Sequence, residues 1–149
     1  MSQDIPLRTI LVPLDGSDFS FRAAKYAIKF AALSSANLVC VHSVVSLPYA
    51  GYATTGVIIK QYIDDSREEA EKWYKEVGTL AANEGVKVIG ETILDVSSVA
   101  DSIIDYAEKR NADMIVIGTK GRTGLKRLVL GSVATGVIGH ATCPVLVVR

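Results

Sequence analysis

Residues 113–132 read DMIVIGTKGRTGLKRLVLGS, an apolar run that passes directly into a segment rich in glycine and basic residues. Residues 113–117 predict a strand, and because their apolar side chains do not alternate with polar ones, that strand needs cover on both faces. Strands of this kind are typical of parallel sheets with crossover helices on each side. The stretch therefore predicts an α/β fold with a glycine-rich loop after one of its strands.

Apolar runs and helical patterns alternate along the rest of the chain. The predicted strands are residues 9–14, 37–45, 86–94, 113–117 and 144–148. Residues sharing one face of the first predicted helix are Ala23, Ala27, Phe30, Ala31 and Ser34. A long charged helix is expected over residues 57–83, and Ser98 with Asp101 resembles a capping box that opens another helix. Alternating strands and helices form right-handed crossover units, so we expect one doubly wound domain over residues 1–149.

The charge balance restricts the class of ligand. The 149 residues carry a formal net charge of zero, which argues against a general grip on nucleic acid. From Met114 onward, however, there is no Asp or Glu, and the basic residues of that segment are Lys120, Arg122, Lys126, Arg127 and Arg149. We therefore expect an anionic small molecule there, although Lys126 and Arg127 alone would fit a solvated basic face equally well.

The cysteines and the N-terminus indicate the compartment. Cys40 and Cys143 both lie in apolar runs, which predicts two buried thiols rather than a disulfide. The N-terminal sequence lacks the pattern of a signal peptide, and no apolar stretch is long enough to cross a bilayer. The sequence predicts a cytoplasmic protein without a membrane segment.

The glycines after the fourth predicted strand have a spacing that suits a phosphate. Gly118 and Gly121 could adopt backbone angles closed to other residues and leave no Cβ in the way of a phosphate. Gly131 and Ser132 open the last helix, whose free N–H groups also favour an anion. Neither the Walker A nor the dinucleotide-binding spacing is present. A plain loop after a strand is the alternative.

Three features fall at carboxyl ends of predicted strands, where ligands bind in such sheets: Asp15, Ser43 and Gly118. Asp15 also suits an ordinary turn with a helix cap.

The histidines and aromatic residues have structural interpretations. His42 and His140 are interpreted as satisfied core histidines, and Trp73 and Tyr74 as packing residues. Tyr49 and Tyr52 could fold over a ligand or seal the sheet or a partner subunit. No catalytic residue is identified.

Three segments carry a resemblance to a known family: VPLDGS at residues 12–17, CVHSV at 40–44, and residues 113–148. With the spacing G-2x-G-9x-G-[ST] met by Gly118, Gly121, Gly131 and Ser132, the chain resembles universal stress proteins of the ATP-binding subgroup. The resemblance implies a parallel sheet of order 3-2-1-4-5 and a homodimer that pairs residues 144–149.

The resemblance also implies roles for single residues around ATP or another adenine nucleotide. Pro13 and Asp15 would lie along the ribose and phosphates, with Asp15 holding a ribose hydroxyl or approaching a divalent ion such as Mg²⁺ or Mn²⁺. The main chain at Ser43 would read the adenine, and Ile117 would pack near the adenosine. The groups implied to hold the phosphates are the amides of Gly118, Gly121, Ser132 and Val133 and the Ser132 hydroxyl. Lys120 and Arg122 could neutralise phosphate charge.

The function predicted is a nucleotide-responsive dimeric stress or signalling protein with an unidentified protein partner. Three alternatives stay open: a slow metal-dependent ATPase or phosphotransferase with Asp15 as metal ligand, a cyclic-nucleotide binder, and a ligand-free dimerisation module.

Overall fold

The described part of the chain folds as five strands and four helices in strict alternation. The computed structural model describes residues 4–46, 56–121 and 129–149. In chain order the elements are β1 (Thr9–Pro13), α1 (Asp18–Ser34), β2 (Asn37–Val45), α2 (Gly56–Ala82), β3 (Val88–Val96), α3 (Val99–Lys109), β4 (Met114–Gly118), α4 (Ser132–His140) and β5 (Val145–Val148). The predicted number and order of strands are confirmed.

The strands form one parallel sheet in the order β3-β2-β1-β4-β5. β1 lies between β2 and β4, with Leu11 opposite Val39 on one side and Ile115 on the other. The order reverses at β1, because β2 and β3 extend to one side of it and β4 and β5 to the other. The predicted 3-2-1-4-5 order is confirmed, and the reversal places a ligand crevice beyond the carboxyl ends of β1 and β4.

Two layers of helices cover the sheet. Alternate strand residues point to opposite faces: Ile10 and Val12 pack with α1 and α2, whereas Leu11 packs with α3 and α4. Ile10, Leu11 and Val12 are fully buried. The burial of consecutive β1 residues is the reason that the apolar runs show no polar alternation.

Local capping explains where two of the helices begin or end. Ser98 caps α3 as predicted, its Oγ accepting from the Asp101 amide at 3.2 Å. At the end of α2, Gly85 has a φ of +69° and the Val86 amide donates to the Ala81 carbonyl at 3.0 Å. Val86 therefore closes the helix, and β3 begins at Val88 rather than at residue 86 as the sequence predicted.

Several predicted core positions are wrong or only partly correct. On α1 the buried face is centred on Ala24, Ala27 and Ala31, which leaves Phe30 and Ser34 exposed at its flank. His140 is exposed on α4 rather than in the core, with Nδ1 3.1 Å from the Gly136 carbonyl.

The two cysteines differ in burial, and two aromatic residues of α2 pack against the sheet. Cys40 is fully buried in β2, whereas Cys143, before β5, is only half-buried; neither forms a disulfide. Trp73 and Tyr74 pack toward the sheet as predicted, with Tyr74 against Gly90.

Among the described residues, no helix combines the length and apolarity that a membrane span requires.

Candidate functional site

A cavity of about 370 Å³ opens at the carboxyl ends of β1, β2 and β4, beside the start of α4. Nine of the ten predicted site residues line it: Pro13, Asp15, Ser43, Ile117, Gly118, Gly121, Gly131, Ser132 and Val133. Arg122 lies outside the described residues, as do Tyr49, Tyr52, Lys126 and Arg127. The fold thus brings together residues from four separate segments of sequence, as the strand-end argument predicts.

The first turn of α4 forms one end of this cavity. Gly131 is the N-cap, and its amide donates to the Thr119 carbonyl at 2.7 Å, which ties the helix start to the exit of β4. Ser132, Val133 and Ala134 follow and line the cavity. The first N–H groups of a helix have no acceptor within it and carry the positive end of its dipole. This end of the cavity is therefore suited to an anion.

The glycines of the loop are required by close packing rather than by unusual backbone angles. None of Gly118, Gly121 and Gly131 has a positive φ, which corrects the expectation from the sequence. A Cβ on Gly118 would lie 2.8 Å from the backbone carbon and oxygen of Phe19, and a Cβ on Gly121 would lie 2.5 Å from Oδ2 of Asp15. The missing side chains let the end of β4 approach α1 and let the loop approach Asp15.

Asp15 stands both in a turn and in the cavity wall. Its Oδ1 accepts from the Ser17 amide at 3.0 Å and from the Ser17 hydroxyl at 2.5 Å, while Ser17 Oγ accepts from the Ser20 amide and caps α1. These bonds fix the carboxylate beside Gly121. Asp15 can therefore stabilise the turn before α1 and face a ligand in the cavity at the same time.

The end of the cavity that α3 lines has mostly apolar walls. Val41 and Ile117 contribute from the strands, and Val99 and Ile103 from α3. The hydroxyl of Ser43 faces α3, where its Oγ lies 2.7 Å from Oγ of Ser102. A flat apolar group with a polar edge suits this end.

His42 also lines the cavity, and its ring is held from two sides. Nδ1 donates to the Leu14 carbonyl at 2.8 Å, and the ring meets Trp73 edge-on with 5.0 Å between centroids. The ring is hydrogen-bonded as predicted, but it is half-buried in the cavity wall rather than in the core.

Sequence reasoning missed part of the wall. Thr119 and Ala134 line the cavity without a signal beyond their place next to the glycines, and Val99 and Ile103 were predicted only as the apolar face of α3. Their position could be found from the fold, since α3 crosses over the carboxyl end of β2.

For a divalent metal, Asp15 is the predicted ligand. Among residues 4–46, 56–121 and 129–149, no group of three or more His, Cys, Asp or Glu side chains could hold an ion. The donor set fits a metal only if the phosphates of a ligand supply further oxygen atoms.

Comparison with known proteins identifies the family. The sequence model of the universal stress protein family matches residues 6–149. This chain belongs to the universal stress protein family. One relative, universal stress protein MJ0531 of Methanocaldococcus jannaschii, is 41% identical over 144 residues, covering 95% of this chain and 82% of that protein. The family resemblance seen in the sequence is confirmed.

Solved structures of universal stress proteins share the fold. UspA from Lactobacillus plantarum superposes with a TM-score of 0.85 at 26% identity, and the match covers 98% of this chain and 100% of that one. A universal stress protein from Archaeoglobus fulgidus, solved in complex with dAMP, superposes with a TM-score of 0.67 at 27% identity, covering 97% of this chain and 100% of that one. Adenine nucleotide binding is thus seen in a structural neighbour of this chain.

Proposed function

We propose that this universal stress protein binds an adenine nucleotide, with ATP as the first candidate, in the cavity between the strand ends and α4. The observation that carries the proposal is the convergence of nine predicted ligand residues, distant in sequence, on this one cavity. The dAMP complex of a protein with the same fold supports the choice of an adenine nucleotide.

The polarity of the cavity supports one orientation of the nucleotide. The phosphates would lie against the first turn of α4 and the amides of Gly118 and Gly121, where Lys120 also lines the cavity. The base would lie at the apolar end beside Val99, Ile103 and Ile117. Arg122 is proposed as a further phosphate contact.

A metal ion would enter only with the phosphates. Mg²⁺ or Mn²⁺ prefers oxygen ligands and often binds protein through one or two carboxylates together with substrate phosphates. Asp15 would be the protein ligand in this chain. When bound, such an ion would screen phosphate charge, and Asp15→Asn is expected to reduce the dependence of nucleotide affinity on Mg²⁺ in calorimetric titrations.

We also propose that the protein works as a homodimer through residues 144–149 and acts in the cytoplasm on a protein partner. β5 is an edge strand of the described sheet, and the outer backbone groups of an edge strand can pair with another chain. Beside it, Val129 and Ile138 expose apolar surface. Thr119, which lies beside the cavity glycines, is hydrogen-bonded to Val148 of β5, so nucleotide binding would change the surface offered to a partner at this edge.

The nucleotide itself is identified by two measurements on the purified protein. Mass spectrometry of the small molecules released on denaturation tests for a retained nucleotide, and calorimetric titration of nucleotide-free protein compares ATP, AMP and cyclic AMP. We expect saturable binding of an adenine nucleotide. If ATP is the ligand, ATP should bind more tightly than AMP or cyclic AMP, because its additional phosphates contact the protein. No released nucleotide and no binding heat at millimolar ligand would contradict the proposal and favour a ligand-free dimerisation module.

A further inference from the structure

Ser43 lines the end of the cavity that would hold the base in the proposed orientation. This placement rests on the proposed function, because it follows from assigning the phosphates to the first turn of α4. Ser43 lines the cavity among Val41, Val99 and Ile103, whose side chains offer no hydrogen bond. A polar group in an apolar wall of this kind can discriminate between otherwise similar ligands.

Two short contacts fix the direction in which the Ser43 proton points. Ser43 Oγ and Ser102 Oγ lie 2.7 Å apart, and Ser102 Oγ lies 2.8 Å from the Val99 carbonyl oxygen. A carbonyl can only accept, so the single proton of Ser102 goes to Val99. The Ser43–Ser102 contact can therefore be a hydrogen bond at the same time as the Ser102–Val99 contact only if Ser43 donates its own proton to Ser102 Oγ. The Ser43 oxygen is left with lone pairs and no proton for the cavity.

We propose that the Ser43–Ser102 pair is a determinant of base selectivity, which admits a purine with an amino group at position 6 and disfavours one with a carbonyl there. An amino group can donate to the Ser43 lone pairs. A carbonyl oxygen would face the same lone pairs in a desolvated site, where two unpaired acceptors are costly. Ser43 would touch the base, and Ser102, outside the lining of the cavity, would act as a positioning residue.

The resemblance to the family assigns the base contact at Ser43 to main-chain groups alone. The hydrogen-bond chain from Ser43 through Ser102 to Val99 gives the side chain a role of its own. This role would be absent from a chain with an aliphatic residue at that position.

The test compares the affinities of ATP and inosine triphosphate, which differ in the group at position 6 of the base. Calorimetry on the wild-type protein is expected to show tighter binding of ATP by at least about tenfold. In Ser102→Ala the Ser43 hydroxyl loses its acceptor and becomes able to donate to a carbonyl, so the preference should fall by about threefold or more. Ser43→Val, which lacks the hydroxyl, should reduce the preference as well.

A matched control is Ser34→Ala on α1, where the hydroxyl also donates to a helix carbonyl, that of Phe30, at 2.7 Å. It should leave the preference unchanged. Ala is a better helix former than Ser, so Ser102→Ala is expected to fold, which circular dichroism would verify. Equal wild-type affinities for the two triphosphates, or an unchanged preference in Ser102→Ala, would overturn the inference while the proposed function stands. No binding of either triphosphate by the wild type would overturn ATP as the ligand of the proposed function, and with it this inference.

Discussion

At the scale of single residues, the site depends on two glycines at positions where a side chain would not fit. Gly118 and Gly121 are each placed where a Cβ would meet another part of the chain: the backbone of Phe19 in one case and the carboxylate of Asp15 in the other. The two glycines therefore have separable roles. Gly118 allows the sheet to approach α1, and Gly121 lets the loop lie beside Asp15.

Replacement of Gly121 by Ala is expected to weaken ATP binding. The new Cβ would lie 2.5 Å from Oδ2 of Asp15, so either the carboxylate or the loop has to move. We expect a loss of affinity of about tenfold or more, measured by calorimetry. Gly139→Ala is the matched control, because a Cβ there meets nothing within 4 Å. Equal ATP affinity of the two variants would refute the role given to Gly121.

Replacement of Gly118 by Ala is expected to lower the stability of the whole fold. Its Cβ would lie 2.8 Å from backbone atoms of Phe19, and backbone cannot swing aside as the end of a side chain can. The free energy of unfolding should fall by about 1–3 kcal/mol in urea denaturation. Gly78→Ala on α2, with nothing within 4 Å, should instead stabilise by roughly 1 kcal/mol. A Gly118→Ala variant as stable as wild type would contradict this prediction, because it would show that α1 can move to accept the Cβ.

At the scale of elements, β3 and α3 are joined by a polar cluster next to the buried core. Tyr106 and Arg110 donate to the same oxygen of Glu91, Oε2, at 2.5 and 2.6 Å. The hydrogen bond from Tyr106, and then that from Arg110, lowers the pKa of Glu91. The cluster fastens α3 to the sheet on the face that carries the cavity.

The lowered pKa of Glu91 predicts a dependence of stability on acid. A carboxyl whose pKa is lower in the folded state stabilises the protein above its ordinary value, 4.5, and loses that contribution as the pH falls through the folded value. The melting temperature of Glu91→Gln should therefore lie below that of wild type at pH 7, and the gap should close at pH values below the ordinary carboxyl range. Glu76→Gln, at an exposed position on α2, serves as control. A gap that stays constant with pH would contradict the assignment.

Sequence patterns predict the elements better than they predict the contacts between them. The strands and their order follow from apolar runs, and the Ser98 cap follows from local chemistry. The start of β3 does not, because Val86 suits a strand by composition yet closes α2 through the Ala81 carbonyl. For Gly118 and Gly121 the predicted unusual backbone angles are wrong, and the close packing against Phe19 and Asp15 was missed, since a sequence does not show that these residues lie against them. The Ser43–Ser102 bond joins residues 59 positions apart and was equally hidden.

At the scale of the whole molecule, the cavity and the free edge of the sheet are neighbours. The Thr119 amide donates to the Val148 carbonyl of β5 at 2.9 Å, and the Thr119 carbonyl accepts from Gly131 at the start of α4 at 2.7 Å. One residue thus connects the edge strand with the proposed phosphate end. This connection gives a physical route by which a nucleotide could influence a surface at β5.

The proposed homodimer predicts a local effect of charge at that edge. Ile138 is 46% exposed and shares a surface hollow with Val147 of β5. Ile138→Lys should raise the dimer dissociation constant by about tenfold or more in analytical ultracentrifugation, because it would bury a charge in the interface. Val57→Lys, at a 77% exposed position on α2, should leave the constant unchanged. A wild-type protein that is monomeric at high concentration would exclude this dimer.

The most direct test of the central claim is an NMR titration of ¹⁵N-labelled protein with ATP, followed through the backbone amides. If ATP binds as proposed, the largest shifts fall on Thr119, Ser132, Val133 and Ala134, while amides at the opposite end of the sheet, such as Asn111 and Cys143, stay in place. Unchanged amides at the start of α4 under saturating ATP, or shifts confined to the opposite end of the sheet, would contradict the proposed nucleotide site.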